Sequence, residues 1–241
     1  MTLTVIVILV ASVLISIWRK KLTVPAALLG GVLGWLIYAG DGYRGLLLLA
    51  VFFILGTLAT SWKKEKKKTE FSEEALSGAD PAKRTAGQVF ANGGVAAIAG
   101  AGILFFPSWH FPLSLAIAGS LASATADTLS SELGMVYGRR VYHILTWRLG
   151  RKGENGMVSV EGLLIGLAGA AVIAGLYILT TASLSLFCCI VVAGFIGNLV
   201  DSVLGAALER RGLLGNNAVN FFNTLAGALV AGGLSLCFFV R

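Results

Sequence analysis

Two stretches of an otherwise apolar sequence carry carboxylates where a lipid-buried helix tolerates them poorly. One reads Ala126-Asp127-Thr128-Leu129-Ser130-Ser131-Glu132-Leu133-Gly134, the other Gly197-Asn198-Leu199-Val200-Asp201-Ser202-Val203-Leu204-Gly205. A carboxylate at mid-helix in a bilayer costs about 2.5–3.5 kcal/mol on insertion scales, so its presence points to function by default. Three more polar clusters precede apolar runs: Gln88-Val89-Phe90-Ala91-Asn92-Gly93-Gly94, Val158-Ser159-Val160-Glu161-Gly162, and Asn216-Asn217-Ala218-Val219-Asn220-Phe221-Phe222-Asn223-Thr224. Carboxylates with amide and hydroxyl oxygens suit a hard cation, Mg²⁺ or Mn²⁺, which in turn bridges phosphate oxygens. Lys83, Arg84, Arg148, Arg151 and Lys152 supply cations that can offset phosphate charge. The loop Lys152-Gly153-Glu154-Asn155-Gly156 can bring backbone N–H groups to a phosphate, though it lacks the Gly-Lys-Ser/Thr ending of a P-loop. The chemistry implied is phosphoryl or nucleotidyl transfer to a lipid-soluble acceptor.

These residues need helices to hold them. On an ideal helix Asp127 shares a face with Ser120, Ser123, Ser131 and Gly134, and Asp201 shares one with Gly194, Gly197 and Gly205. Small residues on those faces permit close approach of a neighbour or a ligand. Glu132 falls about 140° from Asp127, nearer the face of Thr128. A weak internal repeat sets the helix pair from Asn92 to Asp127 against the pair from Ser159 to Asp201, aligning Asp127-Thr128 with Asp201-Ser202. Structural readings stand beside these. A lone Asp can pair with an Arg, Asn92, Asn220 and Asn223 can bond across helices, and Glu161 can be a first-turn acid.

The fold class follows from composition. Of 241 residues 56% are hydrophobic and only 13% charged, about half the usual charged share. That excludes a soluble globular enzyme, a disordered chain and a disulfide scaffold, and leaves an all-α polytopic transmembrane bundle forming a single domain over 1–241. Apolar spans are expected at 2–17, 24–39, 43–61, 88–106, 112–137, 159–180, 184–208 and 217–240, about eight helices. Four loops, 18–23, 62–87, 138–158 and 209–216, then hold 17 of the 19 Lys and Arg residues, leaving Arg44 and Arg241 outside. That bias puts these loops in the cytoplasm, both termini on the outer side, and all five polar clusters near the cytoplasmic face. The net charge of +7 is thus a topology signal with no nucleic acid implied; membrane lipids are the surroundings, and the plasma membrane is the expected location in a prokaryote.

Other features are plainer. Positive charges follow the first apolar run instead of preceding it, so that run is a retained helix and not a signal peptide. Cys188, Cys189 and Cys237 lie in apolar runs and read as packing residues. The stretch from Lys63 to Lys68 with Ser72-Glu73-Glu74 reads as a solvated linker or short surface helix. His110 lies in a short outer turn between Pro107 and Pro112 and reads as an interface residue; His143 has no specified role.

At these motifs the sequence resembles an integral-membrane family that includes plant phytyl-phosphate kinase and transmembrane protein 19. The matching stretches are Lys83-Arg84-Thr85 leading to Gln88 through Gly94, Ala126-Asp127-Thr128 with Ser131-Glu132-Leu133-Gly134, Gly153 and Gly156 with Val158, Ser159 and Gly162, Gly197 with Asp201-Ser202 and Leu204-Gly205-Ala206, and Asn217 with Val219-Asn220. The resemblance implies a kinase for an isoprenyl monophosphate, with a nucleoside triphosphate such as CTP as co-substrate. On that reading Asp127, Glu132, Asp201 and Asn92 are catalytic, the first three as metal ligands. Lys83, Arg84, Gln88, Thr128, Ser131, Arg151, Lys152, Gly156, Ser159, Glu161, Ser202, Asn217 and Asn220 then serve the nucleotide and the lipid phosphate. Two alternatives use the same residues: a cytidylyltransferase acting on a lipid phosphate, and a transporter with intramembrane acids.

Overall fold

The computed structural model describes residues 3–63 and 83–238. Helices α1 (Leu3–Trp18), α2 (Val24–Ser61), α3 (Ala86–Phe105), α4 (His110–Tyr137), α5 (Val160–Tyr177), α6 (Leu184–Leu204) and α7 (Asn216–Phe238) make an all-α membrane bundle. A 3₁₀ turn (Pro107–Trp109) precedes α4, and α6 runs into a π turn (Gly205–Glu209). The strands β1 (Tyr142–His143) and β2 (Met157–Val158) pair antiparallel in the loop between α4 and α5. The linker or surface helix expected within 62–87 falls largely on 64–82, outside the described residues.

Helix α2 is two rods. Gly42 adopts φ 67° and ψ −151°, a conformation open to glycine and strained for other residues. Beyond it the chain turns back: a Cβ on Gly34 would sit 3.5 Å from Leu49 Cδ2 and 3.8 Å from Leu46 Cδ1. On a straight helix Gly34 and Leu49 would be about 22 Å apart. The expected spans 24–39 and 43–61 are therefore antiparallel neighbours.

Contacts sort the loops to two ends. At one, Thr23 N–H donates to Arg84 O (3.1 Å), Arg84 N–H to Lys21 O (3.0 Å) and Lys21 Nζ to Ser61 Oγ (2.9 Å). Trp62 Nε1 donates to Tyr137 OH at 2.8 Å, and Arg19 lies over the Trp18 ring. Every described Lys and Arg except Arg44 lies at this end, ringed by aromatics as expected of a membrane–water boundary. At the far end Asp41 accepts from Arg44 Nη2 (2.8 Å) and Nε (3.3 Å), Arg44 Nη2 also donates to Ser114 Oγ (2.7 Å), and Ser114 Oγ meets Tyr177 OH (3.0 Å). His110 stands beside this cluster, its Nε2 3.9 Å from Asp41 and its side chain half exposed.

Helix α4 is the centre, touching α2, α3, α5, α6 and α7. Among the described residues five helices are long and apolar enough to cross a membrane, and α4 is not one of them. It has no need to be: from Ser114 to Ala126 nearly every residue is buried by other helices instead of facing lipid. Small residues let it sit there. Gly119 and Gly227 lie backbone to backbone where α4 crosses α7, and a Cβ on Gly197 of α6 would strike Ser123. The three cysteines are free, Cys189 buried and Cys188 and Cys237 exposed on the bundle's surface.

Candidate active site

The two aspartates singled out by the sequence meet. Asp127, ten residues before the end of α4, and Asp201, three residues before the end of α6, stand in side-chain hydrogen-bonding contact, both half-buried. They are the pair that the weak internal repeat aligns. Asn223 of α7 donates its Nδ2 to Asp201 Oδ1 (3.5 Å). Ser123, one turn before Asp127, donates Oγ to the backbone carbonyl of Asn223 (3.1 Å) and touches its Oδ1. Three helices thus place four oxygen-bearing side chains at one level, towards the basic end.

Arg84 lies on the Thr128 side of α4. Its guanidinium lies against Gly56, 2.9 Å from where a Cβ would be, and Thr128 Cγ2 borders the same spot. Burial pulls Arg84 below its ordinary pKa, and the Glu132 carboxylate opposes that pull. Glu132 is close enough to act electrostatically on both Arg84 and Asp127. Among the described residues no three His, Cys, Asp or Glu side chains gather as a ready cation cage. The oxygen donors on hand are the aspartate pair and the amide held next to it.

A second cluster joins the loops below. Glu209, at the end of the π turn, is hydrogen-bonded by the side chains of Asn155 and Asn216. Gly156, at φ 78°, packs its backbone directly on Ala206, leaving no room for a side chain. Asn220 Nδ2 donates to Asn216 Oδ1 (3.0 Å), and Asn217 lies against Gly87. The loop Lys152–Gly156, the π turn and the start of α7 therefore form one wall.

The remaining candidates have local structural work. Gln88 and Thr85 form a reciprocal capping box at the start of α3. Ser159 is the N-cap of α5, its Oγ accepting from Gly162 N–H (3.1 Å). Glu161 accepts from Arg139 N–H (3.3 Å), and Ser131 and Ser202 donate back to the carbonyls of Asp127 and Asn198. Asn92 Nδ2 donates to Gln88 O, while its buried Oδ1 has no partner. Arg151 is exposed and Lys152 half-buried, close enough to act on Glu161; Lys83 precedes Arg84 at the basic end. Glu209, Asn155, Asn198 and Ser123 were not among the expected site residues. Glu209 had a signal, since Asp201, Gly205 and Glu209 recur at i, i+4 and i+8. Asn198, almost fully buried with an unbonded Nδ2 against Gly166 and next to the Ala126 carbonyl, had only its place in the motif.

The family described as integral membrane protein DUF92 matches residues 7–228, nearly the whole bundle. The chain belongs to this family. DUF92 relatives include the uncharacterized membrane protein MJ0933 of Methanocaldococcus jannaschii, 32% identical over 83% of this chain and 79% of that protein. The uncharacterized membrane protein sll0875 of Synechocystis is 33% identical over 84% of this chain and 78% of its own length. The chloroplastic protein VTE6 of Arabidopsis thaliana is 31% identical over 86% of this chain and 62% of that protein. No solved structure matches the chain. The DUF92 match agrees with the family that the sequence motifs resemble, and makes the chain an integral membrane protein.

Proposed function

We propose that the chain is an isoprenyl-monophosphate kinase, moving a phosphoryl group from a nucleoside triphosphate, CTP being the first candidate, to a membrane-held isoprenyl phosphate. The observation that carries this reading is the meeting of Asp127 and Asp201, with the Arg84 guanidinium held near the next residue, Thr128. Carboxylates in contact need a proton or a cation between them. The donor set fits a divalent ion that keeps several waters and takes its other ligands from phosphates. Held by Asp127 and Asp201, Mg²⁺ would supply neutralisation of phosphate charge.

The chain's own residues then orient and hold. Asp127 and Asp201 are the ligands, and Asn223, held by Ser123, fixes the Asp201 carboxylate. Arg84, with Lys83 beside it, meets phosphate oxygens, and its burial next to Glu132 keeps the guanidinium in place. The wall formed by Asn155, Gly156 and Asn217 borders the nucleotide. The acceptor phosphate is already nucleophilic, so no general base is required, and positioning with charge neutralisation carries the catalysis. In this reading the basic end faces the cytoplasm, where nucleotides are, and both termini face away.

The test uses purified protein in detergent with Mg²⁺, labelled CTP or ATP, and phytyl, geranylgeranyl or farnesyl monophosphate. Formation of the lipid diphosphate and the nucleoside diphosphate, lost in Asp127→Asn, is the expected result. Release of pyrophosphate with a cytidylylated lipid would replace the kinase with a cytidylyltransferase. Uptake into proteoliposomes with no chemical change would refute both.

A further inference from the structure

The loop between α4 and α5 contains a hairpin that the site does not use. Val141 to Gly150 doubles back on itself: His143 N–H donates to Arg148 O (2.9 Å), Gly150 N–H to Val141 O (3.1 Å), and Trp147 N–H to His143 O (2.8 Å). His143 Nδ1 accepts from Leu145 N–H (3.3 Å), so the turn is tied by side chain as well as backbone. Trp147 is held at φ 54°, a left-handed conformation that a bulky residue adopts only when its surroundings impose it. Such bracing normally aims a side chain at something. Here it aims apolar groups outward: Trp147 is 72% exposed, Leu149 69% and Leu145 49%.

Cations flank the hairpin, Arg148 within it and the others just outside its base. Arg139, Arg140, Arg148 and Arg151 are all exposed. The neighbouring loop after the π turn repeats the pattern with Arg210, Arg211 and a 66% exposed Leu213, and Arg210 reaches Glu154 (3.8 Å) across the gap. The hairpin starts four residues beyond Tyr137, whose pairing with Trp62 marks the bilayer boundary. An exposed apolar tip among cations, a few residues from the headgroup level, matches the chemistry of an anionic lipid surface: acyl-chain boundary for the rings and methyls, headgroup phosphates for the guanidinium groups.

We propose that the Val141–Gly150 hairpin folds back onto the bilayer and docks its Leu145–Trp147–Leu149 tip into the anionic headgroup layer at the basic end. The partner is the surface of the protein's own membrane, not a second protein. Ile144 N–H donates to Gly156 O (3.0 Å), and Gly156 rests on Ala206. The docked hairpin is therefore tied to the loop that carries Asn155, and lipid charge sets where that loop sits. The docking itself does not depend on the proposed reaction.

The test places a nitroxide at the tip without removing its anchors. Thr146→Cys, in full-length protein with Cys188, Cys189 and Cys237 replaced by Ala, is labelled and reconstituted into phosphatidylcholine vesicles with or without phosphatidylglycerol. Collision with oxygen and with a water-soluble nickel chelate reports depth. The expected result is a shift to oxygen-accessible, nickel-shielded readings when phosphatidylglycerol is present. Arg140→Glu with Arg148→Glu should return the label towards water, as should Leu145→Ser with Trp147→Ser and Leu149→Ser. These exposed positions lie outside the packed bundle, so neither variant threatens the fold. A label that stays nickel-accessible in both vesicle types overturns the proposal. So does one shielded from both reagents, which means that the tip packs on protein, and so does shielding that survives either set of substitutions.

Discussion

The aspartate pair makes a prediction whose sign separates a cation site from ordinary packing. At hydrogen-bond separation, about 3 Å, two ionised carboxylates in an effective dielectric of about 20 repel by about 5 kcal/mol. Without a cation the parent pair must therefore hold a proton, a requirement that Asp127→Asn or Asp201→Asn removes, leaving an amide able to donate to the remaining carboxylate. Without divalent cations either variant should therefore melt no lower than the parent. The parent alone should gain stability from Mg²⁺. A cation at one hundred times its dissociation constant adds about 2.7 kcal/mol. For a chain of this size that raises Tm by about 5–10 °C, taking about 2–4 °C per kcal/mol. The measurement is a thermal melt of purified protein in detergent, followed by intrinsic fluorescence, in chelator and then across a Mg²⁺ titration. Asn variants that melt well below the parent in chelator would show the pair to be a structural hydrogen bond and refute the argument. A Mg²⁺ shift of equal size in parent and variants would move the cation elsewhere.

Other expectations follow from single contacts. Asp41→Ala leaves Arg44 at the far end with only the Ser114 hydroxyl and the Tyr177 ring, and should destabilise by about 3 kcal/mol, the low end of values for a broken buried pair because Arg44 is partly exposed; Asp41→Leu with Arg44→Met should recover most of that loss in the same melt. Arg84→Met removes the guanidinium held near Thr128 and Glu132 and should lower kcat about 10²-fold or more, the scale for losing one preorganised charge-stabilising donor, while Arg84→Lys restores only part of the rate because it lacks the planar fork. Ser159→Ala should cost about 1 kcal/mol in thermal stability and Ser159→Gly only a few tenths, as for an N-cap; equal losses would contradict the capping role.

What could be read from the sequence was the chemistry that lipid makes conspicuous. Asp127 and Asp201 stand out because carboxylates are costly in apolar helices, and the bundle brings these two together. The described Lys and Arg residues, Arg44 apart, gather at one end of the bundle, as their placement in alternate loops implies. Other assignments were obscured by residue types with two common uses. Gln88 and Ser159 fit a phosphate site and a helix cap equally well by type, and the structure gives both a cap; the Thr85-x-x-Gln88 spacing was the available clue. Asn223 looked like any interhelical amide, since nothing in linear order shows that it crosses from α7 to the Asp201 carboxylate. The hairpin at Trp147 was hidden because its backbone pairing arises from loop contacts and has no hydrophobic period. Gly42 marks a turn that the apolar pattern left as a gap of three residues between spans.

The burial of α4 has a consequence for biogenesis. A helix enters the bilayer from the translocon by partitioning into lipid on its own hydropathy. Helix α4 carries serines, threonines and carboxylates along its length and is shielded from lipid only once its neighbours surround it. When it emerges from the ribosome, α2 and α3 are available to cover it, while α5, α6 and α7 have not yet been made. The helix that brings Asp127 to the site is thus the one least able to insert alone. Its lasting place in the membrane depends on chain synthesised after it, so insertion of the centre and assembly of the site are completed together.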